Sequence, residues 1–443
     1  MKQVFGLLVF MLLAAPVPAQ EVKTYTSLQD IWQALSRQNV NLAQLDAALE
    51  QADLDVRVRR ASRLPALQAG AGYNYISETA RFTLPFTLPG TPPQEIEAGV
   101  KNQYDLNLRV QQPVFTGFRL KNEVRLARTR KESVALQKAI TRNQLFLLAG
   151  QIYYRYQLNR MQQNLLQKGL NRLDIQLQKV RNFFLSEQAT SFDTLEVYNR
   201  KLELSNRLQQ LRRLERIILL QLQHVLNDTA AVRIAPSPLP GKPPFHLQPF
   251  ETYLQQALRQ RPELQHLSLR EQSQSHLIRI AKSALLPQVF ASASFHYARP
   301  GVNFFQDEWM TYYTVGVQLQ WRLWNWRQDH YRVQQAHVEL DRLRLQERAL
   351  LQDIRQQVQE AYLNLENALE QIRLQEQLVE QERERYRRVS ERYDQGLAAQ
   401  LDLRNAETRL TESELQLQST YIEAYQAYLQ LQYATGKFES VQP

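Results

Sequence analysis

Apolar residues recur at alternating steps of three and four from Leu351 to Tyr393: Leu351, Ile354, Val358, Ala361, Leu365, Ala368, Ile372, Val379, Tyr386, Val389 and Tyr393. Only Gln375 and Glu382 interrupt the set. A period of 3.5 residues held this long predicts a coiled-coil seam. The same seam runs earlier through Leu145, Ala149, Ile152, Tyr156, Leu166, Leu170, Leu173, Leu177, Val180 and Phe184. A returning helix carries Leu403, Ala406, Leu410, Ser413, Leu417, Ala424, Ala427 and Leu431, the smaller of which would let neighbouring helices approach closely. Each ascending helix is expected to exceed roughly 90 Å at 1.5 Å per residue, a length that suits spanning a gap.

Other stretches alternate at period two. From Thr311 to Leu323 the apolar face is Tyr313, Val315, Val317, Leu319 and Trp321, and the polar face is Tyr312, Thr314, Gly316, Gln318 and Gln320. Tyr104, Leu106, Leu108 and Val110 oppose Gln103, Asp105, Asn107 and Arg109 in the same way. Such alternation predicts strands with one apolar and one polar face. Each run has about the ten residues that a tilted strand needs to cross a bilayer. Tyr73, Tyr75, Tyr104, Tyr297, Trp309, Tyr313, Trp321 and Trp324 gather near the strand ends, as in an interfacial girdle. Four strands cannot close a barrel, and lipid does not tolerate an open edge. A membrane reading therefore requires strands shared between subunits.

The two halves of the chain repeat. Leu64-Pro65 aligns with Leu286-Pro287, Phe115-Thr116-Gly117 with Trp324-Asn325-Trp326, Val180 with Val389 and Asp193 with Asp402. The expected organisation has a signal peptide over 1–19, a first repeat over 20–227, a Pro-rich linker over 228–248, a second repeat over 249–436 and a tail over 437–443. The first repeat has a helix near 27–63, strands near 66–77 and 100–114, and a helical hairpin near 118–227. The second has a helix near 249–285, strands near 288–298 and 310–324, and a hairpin near 327–436. The segment Ser77 to Gly99, rich in Pro and Thr, reads as a loop.

Composition narrows the class. Lys2, the apolar run Leu7 to Ala15 and Val17-Pro18-Ala19 read as a cleaved secretory signal. The chain of 443 residues has no cysteine, so it holds no disulfide and no thiolate site. Its formal charge of +10 is spread among acids along helices, as in Glu380 to Arg388, which reads as a solvated face rather than a nucleic-acid surface. The seven histidines include no i,i+4 pair, so no metal site and no cofactor are expected. No nucleophile–base constellation is legible, and an enzyme is not expected.

The two hairpin tips carry the candidate site. One is R-V-S-E-R-Y-D-Q-G-L-A-A-Q-L-D-L-R-N, Arg388 to Asn405, with Gly396 ending a helix. The other is V-R-N-F-F-L-S-E-Q-A-T-S-F-D-T-L, Val180 to Leu195. Asp402 falls near a helix N-terminus, where capping alone is one sufficient reading.

With the signal peptide and the duplicated helix–strand–strand–long helix–tip–helix order, R-Y-D-Q-G-L-A-A-Q-L-D-L resembles the TolC-type outer membrane efflux proteins. So do Q-P-V-F-T-G-F at Gln112 to Phe118 and A-L-R-Q-R-P-E-L at Ala257 to Leu264. The resemblance implies a mainly helical fold with a transmembrane β-barrel portion: a homotrimer whose α-barrel tube lies in the periplasm and joins a shared barrel of twelve strands in the outer membrane. It implies an exit duct of a tripartite efflux or secretion system, partnered by a periplasmic adaptor and an inner-membrane transporter. An entrance ring is implied at Asp402 and Asn405, with Asn405 standing where the family usually has an acid. A gate is implied between Tyr393 and Asp193, and adaptor contact at Gly396, Leu397, Glu187 and Gln188. Ala398 replaces a basic residue common in the family, and Glu187 stands where glycine is common. The other reading from the residues alone is a secreted or periplasmic coiled-coil scaffold without a pore.

Overall fold

A computed structural model describes residues 22–83, 95–228, 230–235 and 241–438. The expected signal peptide, the prolines at 236, 238 and 240, and most of the expected tail lie outside the described residues. The elements run β1 (Val22–Tyr25), α1 (Leu28–Gln38), α2 (Val40–Ala61), β2 (Ala66–Tyr75), β3 (Ala80–Thr83), β4 (Glu95–Ala98), β5 (Asn102–Phe115), α3 (Arg119–Leu185), α4 (Ser191–Leu226), β6 (Ala231–Ile234), α5 (Phe250–Gln260), α6 (Pro262–Ser283), β7 (Gln288–Arg299), β8 (Met310–Gln320), α7 (Gln328–Asp394) and α8 (Gln400–Thr435). α3 and α7 have 67 residues each, and α4 and α8 have 36 each.

The contacts fall into two units. One holds the sheet β2-β5-β7-β8 with most of α2, all of α6 and the first turns of α3 and α7. All its neighbouring strands are antiparallel, and the register puts like faces together. Leu67, Leu108, Ala293 and Val315 lie on one face, and Gln68, Asn107, His296 and Tyr312 lie on the other. Among the described residues nothing covers the apolar face: Val315 is 77% exposed and Leu67 is 70% exposed. In water this face would cost about 25 cal/mol per Å² left wet. Near the strand ends remote from the helices, Tyr73, Tyr104, Trp309 and Tyr297 form a row, with ring centroids 5.1, 5.8 and 4.6 Å apart.

The other unit holds the outer parts of α3 and α7 with α1, α4, α5 and α8. Its core joins Ile31, Trp32 and Leu35 of α1 to Ile152, Ile218, Leu222 and Leu226. A second cluster is the heptad seam itself, Leu166, Leu170, Leu173, Leu177 and Val180, packed on Val197, Leu204 and Leu208. On α7, Ile354, Val358, Ala361, Leu365, Ala368 and Ile372 are buried as their period requires. Phe184 departs from the seam and is exposed, because it occupies the last turn before the tip.

Four expected segments differ in detail. The helix expected over 27–63 is two helices, broken at Asn39, whose backbone is extended. Asn39 Oδ1 accepts the N–H of Asn41 at 2.9 Å, and Nδ2 donates to Val225 O at 2.8 Å, so the break is capped and anchored. The helix expected over 249–285 breaks at Arg261 because Pro262 disfavours helical geometry before it. The Pro-rich linker expected over 228–248 contributes β6, which pairs in parallel with β1, Val22 opposite Ala231. The loop expected over 77–99 includes the hairpin pair β3–β4.

Candidate functional site: the paired helical tips

Both tips use one chain-reversal geometry. At the α7–α8 tip, Gly396 has φ +71°, its N–H donates to Tyr393 O at 3.0 Å, and the Leu397 N–H donates to Arg392 O at 2.8 Å. At the α3–α4 tip, Glu187 has φ +62°, its N–H donates to Phe184 O at 3.1 Å, and the Gln188 N–H donates to Phe183 O at 2.8 Å. These paired bonds close the helix C-termini. The second tip uses glycine for the left-handed residue, and the first tip forces a glutamate into it.

The acids that follow are helix caps. Asp193 Oδ2 accepts the N–H of Thr190 at 2.8 Å and its hydroxyl at 2.7 Å, and the Thr190 hydroxyl accepts the Asp193 N–H at 3.3 Å. Asp402 Oδ2 accepts the Ala399 N–H at 3.3 Å, with no hydroxyl to return the bond. Both lie in the first turn, where the helix dipole favours a carboxylate. Asp402 and Asn405 are exposed and three residues apart on one face of α8.

The tips share a pocket of about 710 Å³ whose lining includes Phe183, Gln188, Asp193, Tyr393, Gly396 and Ala398. The pair expected to bond, Tyr393 and Asp193, therefore faces one space. No hydrogen bond joins them within this protomer; Asp193 Oδ2 is engaged by its cap. Burial pushes the Tyr393 hydroxyl above its usual pKa, and the nearby charges of Asp193 and Asp394 add to the shift. Phe183 meets the Tyr393 ring edge-on at 6.1 Å.

Three cross-links around the tips escaped the sequence reading. Lys179 of α3 donates to both oxygens of Asp394 at 3.0 and 2.9 Å. Arg404 of α8 pairs with Glu196 of α4. Deeper in, Glu407 is 1% exposed between Arg172 at 3.5 Å and Arg200 at 3.8 Å. These partners do not correspond between the repeats, so the duplication gave no signal for them.

The sheet brings together residues that the sequence left scattered. His296 Nδ1 lies 2.8 Å from Asp105 Oδ1, and its Nε2 lies 3.1 Å from Ser294 Oγ. The ring stacks on Tyr312 at 4.8 Å. In the sequence these residues are scattered, and the register of β5 with β7 brings them together. The arrangement still lacks an oxyanion site: β7 is a central strand, hydrogen-bonded to β5 and β8, so its N–H groups are committed to the ladder. Ser294 Oγ also lies 2.7 Å from Thr314 Oγ1. The cluster is a polar network across three strands of one face. No group of three or more His, Cys, Asp or Glu able to hold a metal occurs among the described residues.

Comparison with known proteins gives one concordant picture. The family model described as outer membrane efflux protein matches residues 31–227 and 253–437. The fold is similar to the outer-membrane channel OprN, with TM-score 0.75, 15% identity, and 93% of this chain and 90% of that chain covered. It is similar to the outer membrane protein VceC of Vibrio cholerae, with TM-score 0.73, 15% identity and coverage of 93% and 96%. It is similar to the MtrE outer membrane channel of Neisseria gonorrhoeae, described in its open state, with TM-score 0.70, 16% identity and coverage of 93% and 89%. No curated protein matches the chain in sequence.

Proposed function

We propose a working entrance at the helical tips from one premise: this chain belongs to the outer membrane efflux protein family. It is an outer-membrane exit duct of the tripartite efflux type, with a periplasmic helical tube, and the family as a whole works as trimers alongside adaptor and pump. The fold supports that role physically. The four-stranded sheet has open edges at β2 and β8 and a bare apolar face, so in a bilayer it needs strands from other copies. A scaffold kept in water would leave that face wet.

Three copies supply twelve strands to one barrel, and the duct passes solutes without chemistry of its own. The pocket shared by Tyr393 and Asp193 carries the entrance reading, because it places an aromatic hydroxyl and an acid from opposite hairpins around one space. Asp402 and Asn405, exposed on the first turns of α8, form the ring at the mouth. Gly396, Leu397, Glu187 and Gln188 present the two turns to the periplasmic adaptor. The ring then holds three carboxylates in a trimer, one from each Asp402.

Single-channel recording in planar bilayers tests this. Asp402→Ala is expected to weaken block by divalent cations added on the tip side. Tyr393→Phe is expected to raise conductance by loosening the closed entrance. Unchanged block in the first variant removes the ring assignment, and wild-type conductance in the second removes the gate.

A further inference from the structure

Where β5 passes into α3, the chain folds over a pocket of about 280 Å³. One wall is the turn at Gly117 and Phe118 with the first turns of α3, and the other is the end of α6. The two walls meet closely: a Cβ on Gly117 would lie 2.8 Å from Ser283 O, and Gly117 has φ +58°. Lys121, Arg125, Arg279 and Lys282 line the pocket, and no acid does. None of the four makes an ion pair among the described residues. Four converging cations repel one another unless an anion sits among them.

A second observation points to a ligand. Asn122, 4% exposed, lines the same pocket. Its Nδ2 donates to Phe118 O at 3.0 Å, but its Oδ1 is buried with no partner. Such an orphan is costly and calls for a hydrogen-bond donor. The surroundings are also electropositive: His276 of α6 is held below its usual pKa by burial, with Arg279 and Arg125 adding to the shift.

The pocket's place in the membrane narrows the ligand. The Phe118 ring packs edge-on against Phe115 at 5.5 Å. Phe115 stands opposite Val289, a residue of the sheet's apolar face. The pocket therefore opens at the foot of the surface that faces lipid, at the strand ends joined to the periplasmic helices. Phosphates of the periplasmic leaflet lie at that level, with their acyl chains along the apolar face. We propose that the pocket binds an anionic glycerophospholipid of that leaflet. Its phosphate sits among Lys121, Arg125, Arg279 and Lys282, and a headgroup hydroxyl donates to Asn122 Oδ1.

The test uses the purified full-length channel in detergent, titrated with dioctanoyl phosphatidylglycerol, dioctanoyl phosphatidylcholine and inorganic phosphate and read by native mass spectrometry. Saturable binding of one phosphatidylglycerol per protomer is expected, at least tenfold tighter than phosphatidylcholine. Arg279→Gln/Lys282→Gln, at two exposed positions, is expected to weaken it at least tenfold. Lys121→Gln/Arg125→Gln tests the opposite wall with the same expectation. Equal binding of phosphatidylcholine, undiminished binding in both variants, or displacement by equimolar inorganic phosphate overturns the proposal. Pore conductance of the same preparations reports separately on the duct itself.

Discussion

Glu407 of α8 is sealed from solvent and faces Arg172 of α3 at 3.5 Å. Thr411 completes the arrangement: its hydroxyl donates to Glu407 Oε1 at 2.8 Å and accepts from Arg172 Nη2 at 2.8 Å. Arg200 of α4 adds a second cation at 3.8 Å, and Arg172 also approaches Glu414 at 3.7 Å. One carboxylate thus ties three helices together behind the tips. Removing it breaks a buried charge network and leaves Arg172 to Glu414 at 3.7 Å and Arg200 to Glu203 at 3.0 Å. Glu407→Ala is expected to cost about 3 kcal/mol, read as a lower midpoint of thermal unfolding. Arg172→Met combined with Glu407→Leu is expected to cost less than the sum of the single changes. Strict additivity would show that the pair is not coupled.

Glu187 and Gly396 stand at equivalent places in the two tips, yet only one is a glycine. A side chain in the left-handed region costs about 1–2 kcal/mol. Glycine gives part of that back through the greater freedom of its unfolded chain. Glu187→Gly is therefore expected to stabilise each protomer by about 1 kcal/mol, and Gly396→Ala is expected to destabilise it by a similar amount. Chemical denaturation of the two variants beside wild type checks both signs. A glutamate kept here against its backbone preference also fits a surface position that contacts a partner.

The long seams, the alternating strands and the duplication were legible because each is periodic and survives local exceptions. The tip turns were legible because Gly396 marks one of them and the repeat transfers it to Glu187. What escaped was non-local or aperiodic. The break at Asn39 is invisible within a helical pattern, since asparagine also occurs inside helices; its cause is the anchor on Val225, 186 residues away. The break at Arg261 was available from Pro262, and the repeat then points to Asn39. β1 and β6 are four residues each, too short to show a period. Asp105 and His296 are 191 residues apart and meet only through the register of β5 with β7. The Tyr393–Asp193 pairing was legible as proximity but not as a bond, because capping competes for the same carboxylate.

Asp105, Arg109 and His296 are the ionisable side chains, besides Tyr312, on the polar face of β2, β5, β7 and β8. If that face lines the lumen, their charge sets a fixed potential at that level of the pore. Asp105→Asn keeps the shape and an acceptor for His296 while removing one negative charge per protomer. The pore is expected to shift toward anions. The reversal potential across a salt gradient measures this, and a value identical to wild type would place the charge outside the conducting path.

Lys242, from the segment between the repeats, lies 2.7 Å from Glu376 of α7, and the Tyr421 hydroxyl of α8 donates to the same carboxylate at 2.9 Å. The hydrogen bond from Lys242 leads in holding Glu376 below its ordinary pKa of 4.5, opposed by burial and helped by Tyr421. Burial and this carboxylate push Tyr421 up to about 12. A carboxyl whose pKa is lower when folded stabilises the fold above its unfolded pKa. That contribution is lost as the pH falls through the folded value. Wild type is therefore expected to melt above Glu376→Gln at pH 7 and to lose that lead as the pH falls below 4.5. Lys242 is largely exposed, so the lead should be small and should shrink in high salt. Melting curves at pH 7 and at acid pH, each with and without added salt, decide it. A lead that survives acid would mean that Glu376 acts by packing rather than by charge.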